Sequence, residues 1–296
     1  MNIIEVNGLT KTFGSLTAVD HVSFTVEKGT MLGFLGINGA GKSTAINMLS
    51  TLLVPDSGSA TICGHRLGKE DNQIRRKIGI VYQQNVLDDL LSVQENLLCR
   101  GILHGATATE ARQTLRRLSA ILHLEDILKK RYKLLSGGQK RRCEIAAALM
   151  HTPEVLFLDE PTTGLDPATR KDVWQIIETL RREENMTVFL TTHYMEEAAE
   201  ADQIIILNHG KIVATGTPFQ LKERYAKDRL RLYVDQPLPL SGTPTPYGME
   251  LALDSTMDAL PILKSICHQI HGFEVIQGNM DDVFLNALGH TPEDSL

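Results

Sequence analysis

Hydrophobic residues form short runs, or alternate with polar residues, over much of the chain, and this pattern is typical of β-strands. Three such segments, IIEVNGL, HVSFTV and TMLGFL, begin within residues 1–34. Further apolar runs predict strands over 77–84, 154–160 and 187–193, and QIIILNHGKIVATG predicts a hairpin around 208–211. The segments EVLFLDE at 154–160 and TVFLTTH at 187–193 each contain consecutive apolar residues, which indicates buried strands.

Helical periodicity and helix-start signals occur between these strands, so the predicted fold class is α/β. The segment AINMLSTLL reads as a helix, and PDSG at 55–58 reads as a turn. Segments 92–95 and 107–110 fit the capping box, in which Ser or Thr is followed three residues later by Glu. The second helix has an apolar face that predicts burial of Ala111, Leu115, Leu118 and Leu122. Asp166 followed by Pro167 predicts another helix, which runs to about 184.

The composition changes near residue 225, where we place the boundary of a second domain. Four of the eleven prolines lie in VDQPLPLSGTPTPYG, residues 234–248, which we interpret as a loop inside the C-terminal unit. Strand-like RLRLYV precedes this loop, and ELAL, a helix near 257–270, strand-like FEVIQ and the helix DDVFLNAL follow it. We therefore expect a main domain over 1–224 and a small α+β domain over 225–296.

Composition and charge exclude several classes of protein. The 296 residues are 42% hydrophobic and 22% charged, with a formal net charge of -6, so we expect no nucleic-acid partner. The four cysteines form no C-x-x-C pair, which favours free thiols over a metal site: Cys63, Cys99, Cys143 and Cys267. The N-terminus does not resemble a signal peptide, and no run is long and apolar enough to span a membrane.

The segment GINGAGKST fits the phosphate-loop motif G-x-x-x-x-G-K-[ST]. It follows a predicted strand and opens a predicted helix, which is the context that this motif requires. We expect backbone N–H groups to surround the phosphates, Lys42 to reach the β- and γ-phosphates, and the Ser43 hydroxyl to bind Mg²⁺. The candidate nucleotide-binding residues are Gly36, Ile37, Asn38, Gly39, Ala40, Gly41, Lys42, Ser43 and Thr44. Because no N-K-x-D motif is present to read guanine, ATP is the expected nucleotide.

The predicted strand EVLFLDE ends in two carboxylates, Asp159 and Glu160. Neighbouring side chains of a strand point in opposite directions, so the two acids can have different roles. We expect Asp159 to hold Mg²⁺ through water and Glu160 to polarise the water that attacks the γ-phosphate.

The segment LSGGQ at 135–139 lies just before the predicted helix KRRCEIAAALM, with Ser136 as its N-cap. With the phosphate loop before it and the strand ending in DE after it, the chain over about 3–224 resembles the ATP-binding cassette (ABC) ATPases. The resemblance implies a P-loop NTPase fold with a RecA-like core, an antiparallel β subdomain and a helical signature subdomain at about 85–150. It also implies that two cassettes face each other head to tail, each signature closing over the partner's ATP. The implied signature contacts are Ser136, Gly137, Gly138 and Gln139.

Four further residues match positions of this family. Phe13 falls where an aromatic residue stacks on adenine, and Gln83 falls where a glutamine touches Mg²⁺ and the attacking water. Gln84 leaves an ambiguity of one residue in that assignment. Asp166 matches an aspartate at the dimer interface, and His193 matches the switch histidine that contacts the γ-phosphate. The resemblance thus implies Glu160, His193 and Lys42 as catalytic residues, and Ser43, Gln83 and Asp159 as metal-binding residues.

Three classes within the family compete: a transporter subunit, a DNA-repair ATPase and a soluble ATPase of translation or cluster assembly. Gln83 and Ser136 are 53 residues apart (136 − 83), too few for the long coiled coil of the repair class. The segments THYMEEA at 192–198 and DDVFL at 281–285 resemble the type-2 exporters of drugs, sodium and polysaccharides. This resemblance implies ATP-driven export by a homodimer bound to a separate permease at the cytoplasmic face of the membrane.

The expected permease contact is the helical subdomain near 83–103. The segment VLDDLLSVQENLLCRGIL there is rich in apolar residues, which suits the floor of a groove. The alternative, that these residues only pack the core of the subdomain itself, stays open at this point.

Overall fold

The computed structural model of the protein describes residues 1–236, 238–246 and 248–289. The strands are β1 (Asn2–Phe13), β2 (Leu16–Glu27), β3 (Met31–Gly36), β4 (Ser57–Ile62), β5 (His65–Arg66), β6 (Ile78–Val81), β7 (Val155–Asp159), β8 (Thr187–Thr192), β9 (Gln203–Asn208), β10 (Lys211–Gly216), β11 (Asp228–Tyr233), β12 (Thr243–Thr245), β13 (Gly248–Leu253) and β14 (Gly272–Ile276). The α-helices are α1 (Lys42–Leu49), α2 (Asp71–Lys77), α3 (Val93–Leu103), α4 (Ala108–Leu122), α5 (Gly137–Leu149), α6 (Pro167–Glu184), α7 (Met195–Ala198), α8 (Pro218–Tyr225), α9 (Ala259–Ile266) and α10 (Met280–Ala287). Short 3₁₀ turns cover Glu125–Ile127, Tyr132–Leu134 and Thr256–Asp258.

The central sheet has the strand order β10-β9-β3-β8-β7-β6. Strands β9, β3, β8, β7 and β6 are parallel, and β10 pairs antiparallel with β9 at one edge. The register aligns Leu35 with Thr192 and Asp159 with Thr191, so β3, β7 and β8 end side by side. Ligands of parallel α/β sheets bind beyond the carboxyl ends of the strands, and this alignment places the predicted site there.

Both faces of the central sheet are covered, which is why its parallel strands are mostly apolar. On one face, β1, β2, β4 and α1 share a core with the sheet, and an aromatic cluster of Phe24, Phe34, Phe157 and Phe189 lies in or beside that core. Strands β2, β1, β4 and β5 form a second, antiparallel sheet in that order. On the other face, helices α3 to α7 share a larger core with the sheet.

Helices α3, α4 and α5 pack against one another and cover most of the segment predicted as the helical subdomain. Both predicted capping boxes are present, from Ser92 to Glu95 and from Thr107 to Glu110. The predicted inner face of α4 is buried, with Ala111, Leu115, Leu118 and Leu122 all at most 5% exposed. The helix predicted from Pro167 to about 184 is also confirmed, with Asp166 as its N-cap.

The C-terminal segment forms a third sheet, in the order β12-β13-β11-β14, with all pairs antiparallel. Its core contains Leu230, Leu232 and Leu251, which pack with Ile266 of α9. Helix α10 packs instead on α7 and α8, and its Val283 belongs to the main core of the cassette. The predicted domain boundary at 224/225 falls at the end of α8 and stays a prediction.

Three local predictions were wrong. Ser57 and Gly58 of the predicted turn begin β4, where β1 supplies the pairing partner. Thr243–Thr245 of the predicted proline loop forms β12, an edge strand in which Pro244 needs no ladder donor. The strand predicted over 77–84 ends at Val81, so Gln83 lies in a loop. In the described ranges, no helix is both long enough and apolar enough to cross a membrane.

Candidate active site

The phosphate loop connects the end of β3 at Gly36 to the start of α1 at Lys42. Gly41 adopts a left-handed conformation with φ 105°, and a Cβ atom at this position would lie 2.1 Å from the Ala18 carbonyl oxygen of β2. Only glycine therefore fits there. The first N–H groups of α1 have no partner within the helix, so together with the loop they offer donors to an anion.

The Lys42 side chain folds back over the loop and is 5% exposed. Its Nζ donates to the Gly36 carbonyl at 2.7 Å and to the Ile37 carbonyl at 3.3 Å, and it lies 3.7 Å from Glu160 Oε1. Burial lowers the pKa of Lys42, while Glu160 and Asp159 act in the opposite direction. The loop thus holds a cation beside two carboxylates, where a phosphate can replace the carbonyl contacts.

Asp159 ends β7 and faces the phosphate loop. Its Oδ1 accepts a hydrogen bond from Ser43 Oγ at 3.3 Å and from Thr191 Oγ1 at 2.6 Å. A hydroxyl and a carboxylate on a rigid strand end suit Mg²⁺, which prefers oxygen ligands and takes its other ligands from water and phosphates. The residues present therefore fit a magnesium ion held by Ser43 and Asp159.

Glu160 follows β7 with a positive φ of 47°, so the strand has already ended there. Its N–H donates to the carbonyl of Thr191 at 3.1 Å. We predicted that Asp159 and Glu160 point apart because side chains alternate along a strand. This reason is wrong, since Glu160 lies outside the strand. The left-handed turn separates them, while both carboxylates remain near Lys42.

Glu160 is the point where the candidate catalytic residues meet. Its Oε2 accepts from Thr163 Oγ1 at 3.1 Å and from Gln83 Nε2 at 3.4 Å. His193 Nδ1 lies 3.2 Å from the same oxygen, without an aligned hydrogen bond. Gln83, rather than Gln84, is thus the glutamine beside Glu160, and its observed contact is with this acid rather than with Ser43 or Asp159.

Phe13, at the end of β1, is 49% exposed and stands at the tip of the hairpin to β2. Lys11 Nζ lies 5.7 Å from the centre of its ring. In the part of the chain that the structure describes, no hydrogen bond or ion pair joins Phe13, Ser136 or Asp166 to the cluster around Glu160. One protomer therefore brings together only part of the predicted site.

The signature segment forms the N-terminus of α5. Ser136 Oγ accepts from Gln139 N at 3.3 Å, and Gln139 Oε1 accepts from Ser136 N at 3.1 Å. The capping box leaves the Ser136 O–H free to donate to another group. A Cβ atom on Gly138 would lie 2.3 Å from Thr169 Cγ2, so the signature can approach α6 closely only with glycine there. Thr169 in turn donates to Asp166, at 3.1 Å through N and 2.5 Å through Oγ1.

Comparison with known proteins decides the family. The family model described as "ABC transporter" matches residues 19–163. The daunorubicin/doxorubicin resistance ATP-binding protein DrrA of Streptomyces peucetius is 37% identical over 310 residues, covering 98% of this chain and 94% of that protein. The chain belongs to the ABC transporter family.

Other members of this family match along nearly their whole length. The linearmycin resistance ATP-binding protein LnrL of Bacillus subtilis is 35% identical and covers 99% of this chain and 100% of its own. The Nod factor export ATP-binding protein I of Ralstonia nicotianae is 33% identical and covers 99% of this chain and 95% of its own.

Solved structures match the cassette fold. CbiO1 of Clostridium perfringens, part of the ABC transporter complex cbiONQ, has a TM-score of 0.69 at 27% identity and covers 74% of this chain and 90% of its own. A dimeric post-hydrolysis state of the ATP-binding cassette MJ0796, bound to ADP and Pi, has a TM-score of 0.66 at 29% identity and covers 72% of this chain and 98% of its own. The predicted fold class and the assignment as an ABC-type ATPase that binds ATP are confirmed.

Several buried polar residues of this ABC ATPase were missed by sequence reasoning. Thr191 Oγ1 donates to Asp159 and accepts from the N–H of Glu160, so one hydroxyl orients both acids. Glu197 of α7 accepts from Thr162 Oγ1 and, at 2.6 Å, from Thr192 Oγ1. Thr191, Thr192 and Glu197 lie in or beside THYMEEA, a segment that pointed to the family and to His193 but not to these three residues. A polar residue inside an otherwise apolar strand was the available signal.

Proposed function

We propose that this chain is the ATP-hydrolysing subunit of an ABC exporter and works as a homodimer on a separately encoded membrane permease. The observation that carries the proposal is the convergence of Gln83, Lys42 and His193 on Glu160, directly beyond the carboxyl ends of β3 and β7. The names of the relatives support the transport class, since they describe resistance and export proteins.

The reaction is the in-line attack of water on the γ-phosphorus of ATP, which breaks the bond to the bridging oxygen and releases ADP and phosphate. Glu160 accepts the proton of the attacking water, and Gln83 and Thr163 orient its carboxylate. Lys42 faces the β- and γ-phosphates, and His193 lies where it can contact the γ-phosphate. The phosphate loop supplies N–H donors that neutralise charge as it develops.

Ser43 and Asp159 would hold Mg²⁺ in this reaction. A bound magnesium ion neutralises phosphate charge, which is the chemistry that it supplies to phosphoryl transfer. Thr191 keeps Asp159 oriented toward Ser43 by a hydrogen bond of 2.6 Å. The family resemblance also assigns Gln83 to the magnesium ion. In this structure, however, its side chain contacts Glu160.

Dimerisation completes each site in this proposal. Ser136 with the N–H groups of Gly137 and Gly138 would bind the γ-phosphate held by the partner, and Asp166 would lie at the interface. The positive end of the α5 dipole favours this contact. Phe13, exposed at the tip of its hairpin, would stack on adenine.

The permease is expected to contact the helical subdomain near 83–103 and to hold this subunit at the cytoplasmic face of the membrane. Four exposed apolar side chains of this segment support the surface: Val86, Leu90, Ile102 and Leu103. A soluble non-transport ABC ATPase is the weaker alternative because the full-length relatives are resistance and export proteins.

Glu160→Gln tests the general base and the dimer together. We expect turnover to fall by more than about 100-fold, because Gln cannot accept the water proton, and MgATP to trap a dimer in sedimentation velocity. The double variant Glu160→Gln/Ser136→Arg is the control and should stay monomeric. Turnover within about threefold of the unchanged chain, or a monomer at saturating MgATP, would overturn the proposal.

A permease test completes the assignment to transport. The gene beside this one is expected to encode a membrane protein, and co-expression of the two chains should allow affinity purification of the permease in detergent. A triple change of Leu90, Ile102 and Leu103 to Ser should abolish recovery of the permease and leave the ATP-trapped dimer intact. Recovery at the original level would place the permease contact elsewhere.

A further inference from the structure

The loop that carries Gln83, residues 82–87, is attached to the signature helix α5 by buried side chains. Arg141 of α5 is 5% exposed. Its Nη1 donates to the Tyr82 carbonyl at 2.7 Å, and its Nη2 donates to the Gln83 carbonyl at 3.3 Å. Hydrogen bonds from a charged donor are among the stronger ones, so this fork fixes the backbone at Gln83 itself.

Glu144, one turn later on α5, holds the other end of the same loop. Its Oε1 accepts from the N–H groups of Val86 at 2.9 Å and Leu87 at 3.1 Å, and from the Tyr132 hydroxyl at 2.7 Å. Glu144 is 3% exposed, and a buried carboxylate is tolerated only with such partners. Burial and the bond to Glu144 raise the pKa of Tyr132, which keeps its hydroxyl protonated as a donor.

Both contacts start from the helix that begins at the signature. Ser136 caps α5, and Arg141 lies five residues later, about 7.5 Å along the axis at the usual helical rise. A helix of this length moves as a rigid unit, so a displacement at Ser136 is transmitted to Arg141 and Glu144. At the start of this loop, Gln83 Nε2 lies 3.4 Å from Glu160 Oε2 of the same chain.

We propose that Arg141 and Glu144 are positioning residues that make the glutamine loop follow α5. Engagement of Ser136 with the partner's ATP would then set the position of Gln83 beside Glu160 in the chain's own site. The two hydrolytic sites of the dimer would be coupled within each protomer by these hydrogen bonds. The inference rests on the proposed function, because it assigns Ser136 and Gln83 to opposite sites.

Arg141→Gln tests the link, with Arg142→Gln as the matched control. Arg142 lies on the same helix and also donates to backbone carbonyls, those of Leu122 at 3.3 Å and His123 at 3.2 Å, which are outside the glutamine loop. We expect Arg141→Gln to lower kcat about tenfold or more, with the Kd for ATP changed less than about threefold. Arg142→Gln should change kcat less than about twofold. Equal effects of the two variants on kcat would contradict the proposal.

A double-mutant cycle shows whether Arg141 acts through the glutamine loop. If it does, Arg141→Gln/Gln83→Ala should turn over within about twofold of Gln83→Ala alone, since the residue being positioned is already absent. Independent, multiplicative losses would mean that Arg141 has another role. Arg141→Lys should have an intermediate kcat, because it retains the charge and one donor.

Hydrogen exchange gives a readout that does not depend on turnover. In the intact chain, Glu144→Ala should speed the exchange of the Val86 and Leu87 amides at least about tenfold because it removes their acceptor, while Arg142→Gln should leave them unchanged. Unaltered exchange in Glu144→Ala would overturn the link even if hydrolysis is slowed. If Glu160→Gln remained active while the exchange rates changed as expected, the proposed function would fail and the link would stand.

Discussion

At the scale of single residues, buried threonine hydroxyl groups form hydrogen bonds that hold the motif residues in position. Thr191 orients Asp159 and Glu160, and Thr192 and Thr162 are joined through Glu197. The last contact links the loop after Glu160 to the residue before His193. The buried carboxylate of Glu197 thus fixes the separation of the two loops that carry Glu160 and His193.

Glu197→Ala should lower the free energy of unfolding by about 2 kcal/mol, because it leaves two buried hydroxyl groups without their acceptor. We expect kcat to fall about tenfold as His193 and Glu160 lose their relative position. Urea titration and steady-state hydrolysis measure the two effects. Glu196→Ala, at the exposed neighbouring position, is the control and should match the unchanged chain; a similar loss in both variants would refute the role of Glu197.

His151 predicts a pH dependence of stability. Its ring stacks on His104 with centres 4.0 Å apart, and Nε2 donates to the Ile78 carbonyl at 2.9 Å. Burial, with a smaller effect of His104, lowers the pKa of His151 from 6.5 to about 4. The unfolded chain therefore binds a proton below about pH 6.5 that the folded chain does not, so stability is lost as the pH falls toward 4.

His151→Gln should remove this loss. The Gln amide can donate to Ile78 as the imidazole does, but it does not titrate. We expect the unfolding free energy of the unchanged chain to fall by about 2 kcal/mol more than that of the variant between about pH 7.5 and about pH 5. Parallel curves in urea titrations at the two pH values would show that His151 is protonated normally in the folded chain.

Sequence reasoning reached the residues of the motifs because each motif fixes a local backbone conformation. Spacing alone identifies Lys42 and Ser43, since the loop geometry follows from the glycines around them. It did not reveal Thr191, Glu197 or Arg141, whose partners lie far away in sequence. The sequence also did not predict the positive φ of Glu160, because this conformation depends on the tertiary contact with Thr191.

At the scale of elements, the junction between α5 and α6 joins the signature to the residue expected at the dimer interface. Gly138 and Thr169 are in such close contact that no Cβ atom fits between them. Thr169 also donates twice to Asp166. The signature and the N-terminus of α6 therefore form one surface, and a change on one side displaces the other.

Gly138→Ala should destabilise the protein by about 1–3 kcal/mol, because the added methyl group overlaps Thr169. Gly137→Ala is the matched control: its Cβ atom would meet Leu165 at an ordinary 3.5 Å. In a helix, Ala is favoured over Gly, so this control should be neutral or slightly more stable. Thermal unfolding distinguishes the two variants. Equal melting temperatures would mean that the contact between α5 and α6 adjusts to the added methyl group without loss of stability.

Elements with strong local signals were predicted, and those that depend on neighbours were not. Capping boxes and apolar periodicity are encoded within a few residues, as in α3 and α4. Helix α2 was not predicted, because only Ile74 of its seven residues is buried and its periodicity is weak. Strand β12 forms because β13 offers a free edge, and Pro244 is tolerated only at such an edge.

At the scale of the whole molecule, the C-terminal segment belongs to two cores. The sheet of β11 to β14 packs with α9 around its own apolar residues, including Ile266. Helix α10 returns to the cassette, where Val283 is fully buried. Arg229 of β11 contacts Asp282 at 3.2 Å and so joins the two parts. A boundary drawn from composition alone, at 224/225, places α10 with the sheet although α10 packs mainly on α7 and α8.

The single tryptophan, Trp174 on α6, reports which core a residue stabilises. Val283→Ala should lower the unfolding free energy followed by Trp174 fluorescence by about 2 kcal/mol, because it creates a cavity in the core shared with the cassette. Ile266→Ala removes more apolar volume, but from the core of the third sheet. If that sheet unfolds separately, Ile266→Ala should shift far-UV circular dichroism while the fluorescence midpoint stays within about 0.3 M urea. The fluorescence midpoint could instead move more for Ile266→Ala than for Val283→Ala. That result would mean that the third sheet, rather than α10, stabilises the cassette. The C-terminal segment would then have to be treated as a single unit.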